Sequence, residues 1–425
     1  MRKEKYPWYR NRNYLHFDPA VGFIQAHQLV TDPNRVSSHA FYPLISYQIT
    51  TEKFKRDSET KLLKRHPKSR DIAYAAHLDS HIYSYYSWQL GQLYEKELKA
   101  RRIDDHVLAF RALSKSNIDF AAEVFESIRA KGNCSAVAMD IKGFFDNLDH
   151  DYLKLAWALI LKDVKLPSDH YAVFKSLTRF STVDRDALFE TLEISKHNPR
   201  FGRHRICSAR EFREKVRCGG LITQNKTGKG IPQGTPISAL LSNIYMIEFD
   251  QLMCSKMTLI GGDYYRYCDD MLFIVPTEKR DEVAGEVQKE IQKLKISINP
   301  EKTELRTFTV AAGTQSADKP LQYLGFTFDG QRVLIRSAAL ARYSERMKRG
   351  VKMAKATMRK RNSIKSSRGE DQKPLFKRQL YQRYSHLGKT NFLRYGYRAS
   401  EVLLSGSIKK QLKPLWARLQ KEIET

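Results

Sequence analysis

Apolar and aromatic side chains recur at three- and four-residue steps between Asp79 and Lys99, at Ile82, Tyr83, Tyr86, Leu90, Leu93, Tyr94 and Leu98, which is the spacing of one face of an α-helix. A second helical pattern covers Ile118 to Ile128, after Ala109-Phe110-Arg111. The period then changes. Ala136-Val137-Ala138-Met139-Asp140-Ile141-Lys142 is a short apolar run ending in an acid, which predicts a buried strand delivering a carboxylate at its C-terminal end. Gly143 allows a sharp change of direction, and His150 to Lys162 returns to an apolar helix through Leu153, Leu155, Ala156, Trp157, Leu159 and Ile160. Between Asp163 and Asn225 the periodicity weakens, and 200–217 is rich in arginine. His204, Cys207 and Cys218 match no standard zinc-ligand spacing.

Gly228-Lys229-Gly230-Ile231-Pro232-Gln233-Gly234-Thr235-Pro236 holds too much glycine and proline to be anything but a loop. It opens a helix with Pro236 at the first helical position and Ile237, Leu240, Leu241, Ile244, Tyr245 and Ile247 on its apolar face. Such a loop can bring backbone N–H groups to phosphate, although it lacks the Lys-Ser/Thr ending of a P-loop. Next, Asp263-Tyr264-Tyr265-Arg266 and Met271-Leu272-Phe273-Ile274-Val275 flank Tyr267-Cys268-Asp269-Asp270, two strands meeting at an acidic turn placed at Asp269-Asp270. A helix from Glu278 to Leu294 follows, then Ile298-Asn299-Pro300-Glu301-Lys302-Thr303 and an alternating strand to Val310. The segments 321–328 and 332–335 form a hairpin turned by Asp329-Gly330. From Ala338 the chain is helical, with breaks at Ser363 to Pro374 and Ser405 to Ser407.

Charge changes this picture. The 425 residues carry 74 basic against 47 acidic side chains, a net +27, and such an excess points to a polyanion. It is concentrated: 331–425 holds 25 Lys/Arg against 6 Asp/Glu, or +19. The run 61–70 (Lys61 to Arg70) is either a solvated loop or a strip facing phosphate. Five scattered cysteines argue against a disulfide framework. The start, Met1 to Trp8, has no apolar signal region, and no stretch approaches a membrane span, so a cytoplasmic protein without membrane contact is expected. Two adjacent carboxylates at a turn need a cation, and hard oxygen ligands suit Mg²⁺, with Mn²⁺ as a substitute. An acidic hairpin tip standing alone is also a common solvated turn.

The order of the pieces is more specific than any one of them. Asp140 with Phe144-Phe145-Asp146, then Pro232-Gln233-Gly234 with Pro236-Ile237-Ser238 and Ser242-Asn243, then Tyr267-Cys268-Asp269-Asp270, Asn299-Pro300-Glu301-Lys302-Thr303 and Tyr323-Leu324-Gly325-Phe326 together resemble the palm of a reverse transcriptase. The resemblance implies an α+β, right-hand polymerase fold. Fingers and N-terminal region fall at 1–135, a palm of antiparallel sheet and packed helices at 136–330 with a fingers-side insertion at 163–227, and a basic helical thumb at 331–425. It further implies two Mg²⁺ ions held by Asp140, Asp269 and Asp270 with Ile141, activating a primer 3′-hydroxyl and steadying the leaving pyrophosphate. Lys302 is placed as proton donor near the pyrophosphate, the alternative being an ordinary surface lysine. Gln233 meets the incoming nucleotide, and Phe145 stands where a bulky ring collides with a 2′-hydroxyl and so selects dNTP. Arg70 to Asp79 with Phe110-Arg111 resembles the fingers, giving Arg70 and Arg111 to the nucleotide, although Ser80 follows Asp79 where intron enzymes commonly carry arginine. Gly325 belongs to the primer-grip hairpin, and Lys348, Arg349, Lys352 and Lys355 to the nucleic-acid grip.

Ile141-Lys142-Gly143-Phe144-Phe145-Asp146 and the Pro-Ile-Ser-x-Leu-Leu-Ser-Asn-Ile-Tyr run resemble bacterial lineages, those of group II introns, retrons and phage-defence systems. With no nuclease or maturation signature after Thr425, the expectation moves from intron enzymes to retron and, by length, single-chain defence enzymes. These copy a dedicated noncoding RNA into cDNA, with primer and dNTPs as further partners. Two other readings stay open: a template-independent or protein-primed DNA polymerase of abortive-infection type, and a catalytically silent RNA-binding scaffold.

Overall fold

The computed structural model of the chain describes residues 6–56 and 63–425. Helix α1 (Phe23–Val30) precedes a long antiparallel ribbon of β1 (Leu44–Arg56) and β2 (Leu63–Tyr74). Of the basic run, Lys61 and Leu62 lie outside the described residues and from Leu63 onward it is strand, which removes the loop reading there and leaves a strip open to phosphate. Its hydrophobic pattern is silent because much of the ribbon faces water on both sides, with Thr50, Thr51, Ser69 and Arg70 all exposed.

Helix α2 (His77–Ala100) buries Ile82, Tyr83, Tyr86, Leu90, Tyr94 and Leu98 along the expected stripe. Asp79 is buried near its start, where His39 Nε2 meets its carboxylate at 2.7 Å and the Tyr42 N–H at 2.9 Å. Helix α3 (Asn117–Lys131) opens with a reciprocal capping box between Ser116 and Asp119. Then come β3 (Cys134–Asp140), α4 (His150–Leu161), α5 (Ser168–Thr178), β4 (Ser181–Asp184) and β5 (Ile222–Gln224). β4 runs parallel to β1 and β5 pairs with β4, so the first sheet has the order β2-β1-β4-β5.

Helices α6 (Ser238–Tyr245) and α7 (Ile247–Leu259) lead into β6 (Asp263–Tyr267) and β7 (Asp270–Val275). Pro236 precedes the helix instead of opening it. The entry is held by Ser238, whose Oγ lies 2.5 Å from Thr235 Oγ1 and donates to the Pro232 carbonyl at 2.6 Å. Helix α8 (Arg280–Lys293), β8 (Glu304–Ala311) and β9 (Thr314–Ala317) complete a five-stranded sheet of order β6-β7-β3-β8-β9. The last of these was not expected; Ala312 and Gly313, both at positive φ, turn the chain back.

β3 sits at the centre of this sheet and is buried on both faces. Val137 and Met139 pack among α2, α6, α7 and α8, whereas Cys134 and Ala136 pack with Val124, Phe125, Phe326 and Phe328. Two-sided burial explains an apolar run without alternation.

The expected two-armed hairpin is a three-stranded sheet, β10 (Leu321–Tyr323), β11 (Phe326–Phe328) and β12 (Val333–Ile335). Leu324 (φ +45°) and Gly325 (φ +94°) fold the first arm on itself, both left-handed as a two-residue hairpin turn requires. After it, α9 (Ser337–Ser367), α10 (Lys377–Tyr384), α11 (Phe392–Val402) and α12 (Gly406–Glu424) form a helical cluster. The first break begins at Arg368, five residues later than the serine at 363 suggested. Asn117 Nδ2 donates to both the Leu324 carbonyl and the Tyr395 hydroxyl at 2.9 Å, tying α3, the small sheet and α11 together. Among the described residues no helix is long and apolar enough to cross a membrane.

Candidate active site

β3 ends at Asp140, β7 begins at Asp270, and the two face each other in register. Tyr267 pairs with Asp270, so the turn consists of Cys268-Asp269 and lies one residue earlier than the sequence suggested. The cause is Cys268, which takes the left-handed conformation (φ +61°) at the first turn position and so leaves Asp270 on the strand. Three carboxylates are thereby gathered at the neighbouring ends of two strands. Ile141 closes the arrangement by donating its N–H to the Asp269 carbonyl at 3.2 Å.

The Asn299 N–H donates to the Asp140 carbonyl at 2.7 Å and brings the 3₁₀ turn Pro300–Lys302 alongside β3. From there Lys302 Nζ reaches both carboxylate oxygens of Asp140, at 2.6 and 2.5 Å. Asp270 keeps an exposed edge, yet partial desolvation of its carboxyl pushes it up to about 6, the charges of Asp269 and Asp140 add to the rise, and Lys302 and Arg336 oppose it. Among the described residues no group of three or more His, Cys, Asp or Glu side chains is placed to hold a metal ion. The donor set nevertheless fits a hard divalent cation, because oxygen donors of one sign are crowded in a partly desolvated place where their mutual repulsion is relieved by positive charge.

The floor under the turn is a buried ionic network that sequence reasoning missed. Arg266 is fully buried; its Nε and Nη2 grip Asp250 at 2.7 and 2.6 Å, and its Nη1 donates to Asn243 Oδ1 at 3.0 Å and to the Cys268 carbonyl at 3.1 Å. Tyr264 donates its hydroxyl to Asp250 at 2.8 Å, and Asn243 Nδ2 donates to the Ala109 carbonyl at 2.9 Å. Burial alone would lower the Arg266 guanidinium, but Asp250 more than reverses this and holds it above the usual arginine range. A signal existed: in β6 the inward positions are Tyr264 and Arg266, and an arginine on a buried face requires a partner.

The loop before α6 bridges two regions. The Ile231 N–H donates to the Phe145 carbonyl at 2.9 Å, and Gln233 accepts from the Ala73 N–H of β2 at 2.8 Å. Gly234 (φ +118°) is required there, since a Cβ would lie 2.6 Å from the Ala73 carbonyl oxygen. Gly230 (φ +83°) is equally constrained, 2.8 Å from the Asp146 carbonyl oxygen. Phe145 and Gln233 are half-buried. Arg70 is exposed on the face of β2 that also carries Ile72, a neighbour of Gly234.

Other expected residues lie elsewhere. Arg111 grips Glu95 through Nε and Nη2 at 2.9 and 2.7 Å, and its Nη1 donates to the carbonyls of Asp104 and Val107. Its side chain is 2% exposed, so its donors are spent within the fold instead of facing a nucleotide. Gly325 turns the small sheet, and its carbonyl accepts from the Arg336 N–H at 3.1 Å. On α9, Lys348 lies 3.3 Å from Glu422 and Lys355 donates to the Glu422 carbonyl at 2.8 Å, whereas Arg349 and Lys352 are exposed.

The profile of the family described as "Reverse transcriptase (RNA-dependent DNA polymerase)" matches residues 89–328, more than half of the chain, spanning Asp140, Gln233, Asp269, Asp270 and Lys302. No curated protein matches the chain. Among solved structures, the chain is similar to apo telomerase from Candida tropicalis truncated from its C-terminal domain, with a TM-score of 0.41 and 13% identity over 68% of this chain and 57% of that one. It is also similar to telomerase from Candida albicans in complex with a TWJ fragment of telomeric RNA, with a TM-score of 0.40 and 10% identity over 94% of this chain and 66% of that one. The chain thus spans 57% of the length of the first of these structures.

Proposed function

Because the chain belongs to the reverse transcriptase family, we propose that it is an RNA-directed DNA polymerase, with the centre at Asp140, Asp269 and Asp270. The observation that carries this is the in-register pairing of Asp140 with Asp270 beside the Cys268-Asp269 turn, with Lys302 on Asp140. In this reading 1–135 with the 163–227 insertion serves as fingers, 136–330 as palm and 331–425 as thumb. The pairing of β4 with β1, and of β5 with β4, supports that division.

Asp140 and Asp269, supported by Asp270 and the Ile141 main chain, hold the divalent cations, Mg²⁺ or Mn²⁺. When bound, the cations supply the Lewis acidity that activates a primer 3′-hydroxyl and steadies the departing pyrophosphate. Lys302 Nζ delivers a proton on the pyrophosphate side. Gln233 orients the incoming dNTP, and the Phe145 ring excludes a ribose 2′-hydroxyl. The finer reading is that the template is a dedicated noncoding RNA copied into cDNA in bacterial defence against phage. It is supported by the likeness of 141–146 and 236–245 to bacterial lineages.

Asp269→Asn is expected to abolish Mg²⁺-dependent dNTP incorporation while leaving RNA affinity near wild type; full incorporation by the variant would overturn the assignment. Sequencing the wild-type product against co-purified RNA tests templating, and a product unrelated to that RNA would favour template-independent synthesis.

A further inference from the structure

A cavity of about 530 Å³ opens between α4, α5 and the loop after β5, away from the carboxylates of the active site. Lys154, Lys175, Arg179 and Lys226 line it against one carboxylate, Asp151. Among the described residues none of the four cations is ion-paired, whereas Lys295 and Lys302 are, to Asp149 and Asp140. Four like charges around a concavity repel one another and focus a positive potential into it, so the arrangement favours an anion.

The walls are set in advance. Asn225 staples its loop to the end of α5: its N–H donates to the Phe180 carbonyl at 2.8 Å, and its Nδ2 donates to the Thr178 and Lys229 carbonyls at 3.1 and 2.9 Å. Its Oδ1 accepts from the Thr227 N–H and hydroxyl at 3.2 and 2.8 Å. Lys226 is therefore presented from an anchored loop. The carbonyls at the end of α5 would repel an anion, but that of Lys175 accepts from the Arg179 N–H at 2.9 Å and that of Thr178 from Asn225. Tyr171, 42% exposed, offers a ring at the rim with Lys154 Nζ 5.3 Å from its centroid. Cations that can track a backbone, beside a partly exposed aromatic ring, are the elements of a single-stranded nucleic-acid site.

We propose that this cavity binds the phosphates of single-stranded RNA outside the polymerising centre. The choice of RNA rests on the polymerase reading above; a free nucleoside triphosphate is the other source of the same chemistry. The test uses the full chain, a labelled oligouridine and fluorescence anisotropy at several salt concentrations. Lys154→Gln/Lys175→Gln/Arg179→Gln is expected to lose about tenfold in affinity and to flatten the log–log salt slope by about 2, roughly 0.7 for each lost phosphate contact on a single strand. A charge-matched control, Lys96→Gln/Lys99→Gln/Lys289→Gln, is expected to leave both quantities unchanged. Equal losses in the two variants, or none in the first, overturn the proposal. Lys154→Arg/Lys175→Arg is expected to bind as wild type, and a loss there overturns it as well by removing charge as the cause. Calorimetric titration with ATP separates the sources: ATP binding lost in the cavity variant with oligouridine binding intact assigns the site to a free nucleotide and overturns the RNA proposal. Wild type that binds oligouridine but incorporates no dNTP would sink the polymerase reading alone.

Discussion

The β6–β7 hairpin and the helices after Ser337 are both defined by charge, and they handle it in opposite ways. Beneath the hairpin the charges are few, buried and individually fixed: one guanidinium, Arg266, spans Asp250, Asn243 and the carbonyl of the turn. Across 331–425 as a whole 25 cations stand against 6 acids, and such contacts as Lys348 makes to Glu422 join side chains that are 65% and 32% exposed. A fixed charge in a dry place acts through one geometry, so one substitution removes its effect. Exposed charges in water act as a field, and only several changes together alter it.

The largest effect is expected at Arg266. Arg266→Leu strands Asp250 as a buried charge with Tyr264 as its remaining hydrogen-bond donor, which is expected to cost about 3–5 kcal/mol in chemical denaturation. A change under about 1 kcal/mol would erase the contrast with a surface ion pair. Next, reversing Lys348, Arg349, Lys352 and Lys355 together is expected to weaken primer–template affinity and flatten its salt dependence. The flattening is about 4 if all four meet duplex phosphates and about 2 if only Arg349 and Lys352, which do not contact Glu422, do. An unchanged slope would move the grip to 200–217. Phe145→Val is a smaller change in a fixed region, and it is expected to raise rNTP use relative to dNTP by about tenfold in mixed-nucleotide primer extension. An unchanged ratio places the sugar gate elsewhere. Least of all, Lys348→Ala is expected to shift stability by no more than about 1 kcal/mol, and a larger loss would mean that the thumb charges too are individually fixed.

The same contrast decides what could be read from the sequence. Asp140, Asp269, Asp270 and Lys302 could be grouped from the sequence because the family resemblance carries a fixed order of carboxylates, loop and lysine; the structure sets Asp140 in register with Asp270 beside the Cys268-Asp269 turn and Lys302 on Asp140. The stripe of α2 was legible because packing on one face imposes a period, and β3 because burial on both faces leaves an unbroken apolar run. What escaped has no local signature. Arg111 looks like a nucleotide ligand until Glu95 is seen beside it. The turn residues Cys268 and Leu324 adopt left-handed backbone that their side chains disfavour, so composition placed one turn a residue late and missed the other. The described side chains of the β1–β2 ribbon at 48–51 and 67–71 are mostly exposed on both faces and show no alternation.

The floor beneath Cys268-Asp269 also bears on time. Asp250 and Arg266 are 16 positions apart, whereas Asn243 and Ala109 are separated by 134. A short loop closes at lower entropic cost than a long one, so the Arg266–Asp250 clasp is expected to form early, before the 109 segment or the strand bearing Asp140 docks upon it. The Arg266 N–H then meets the His106 carbonyl and the Leu108 N–H the Arg266 carbonyl, at 2.8 and 2.9 Å. These two amides are expected to be among the last in the chain to trade hydrogen for deuterium.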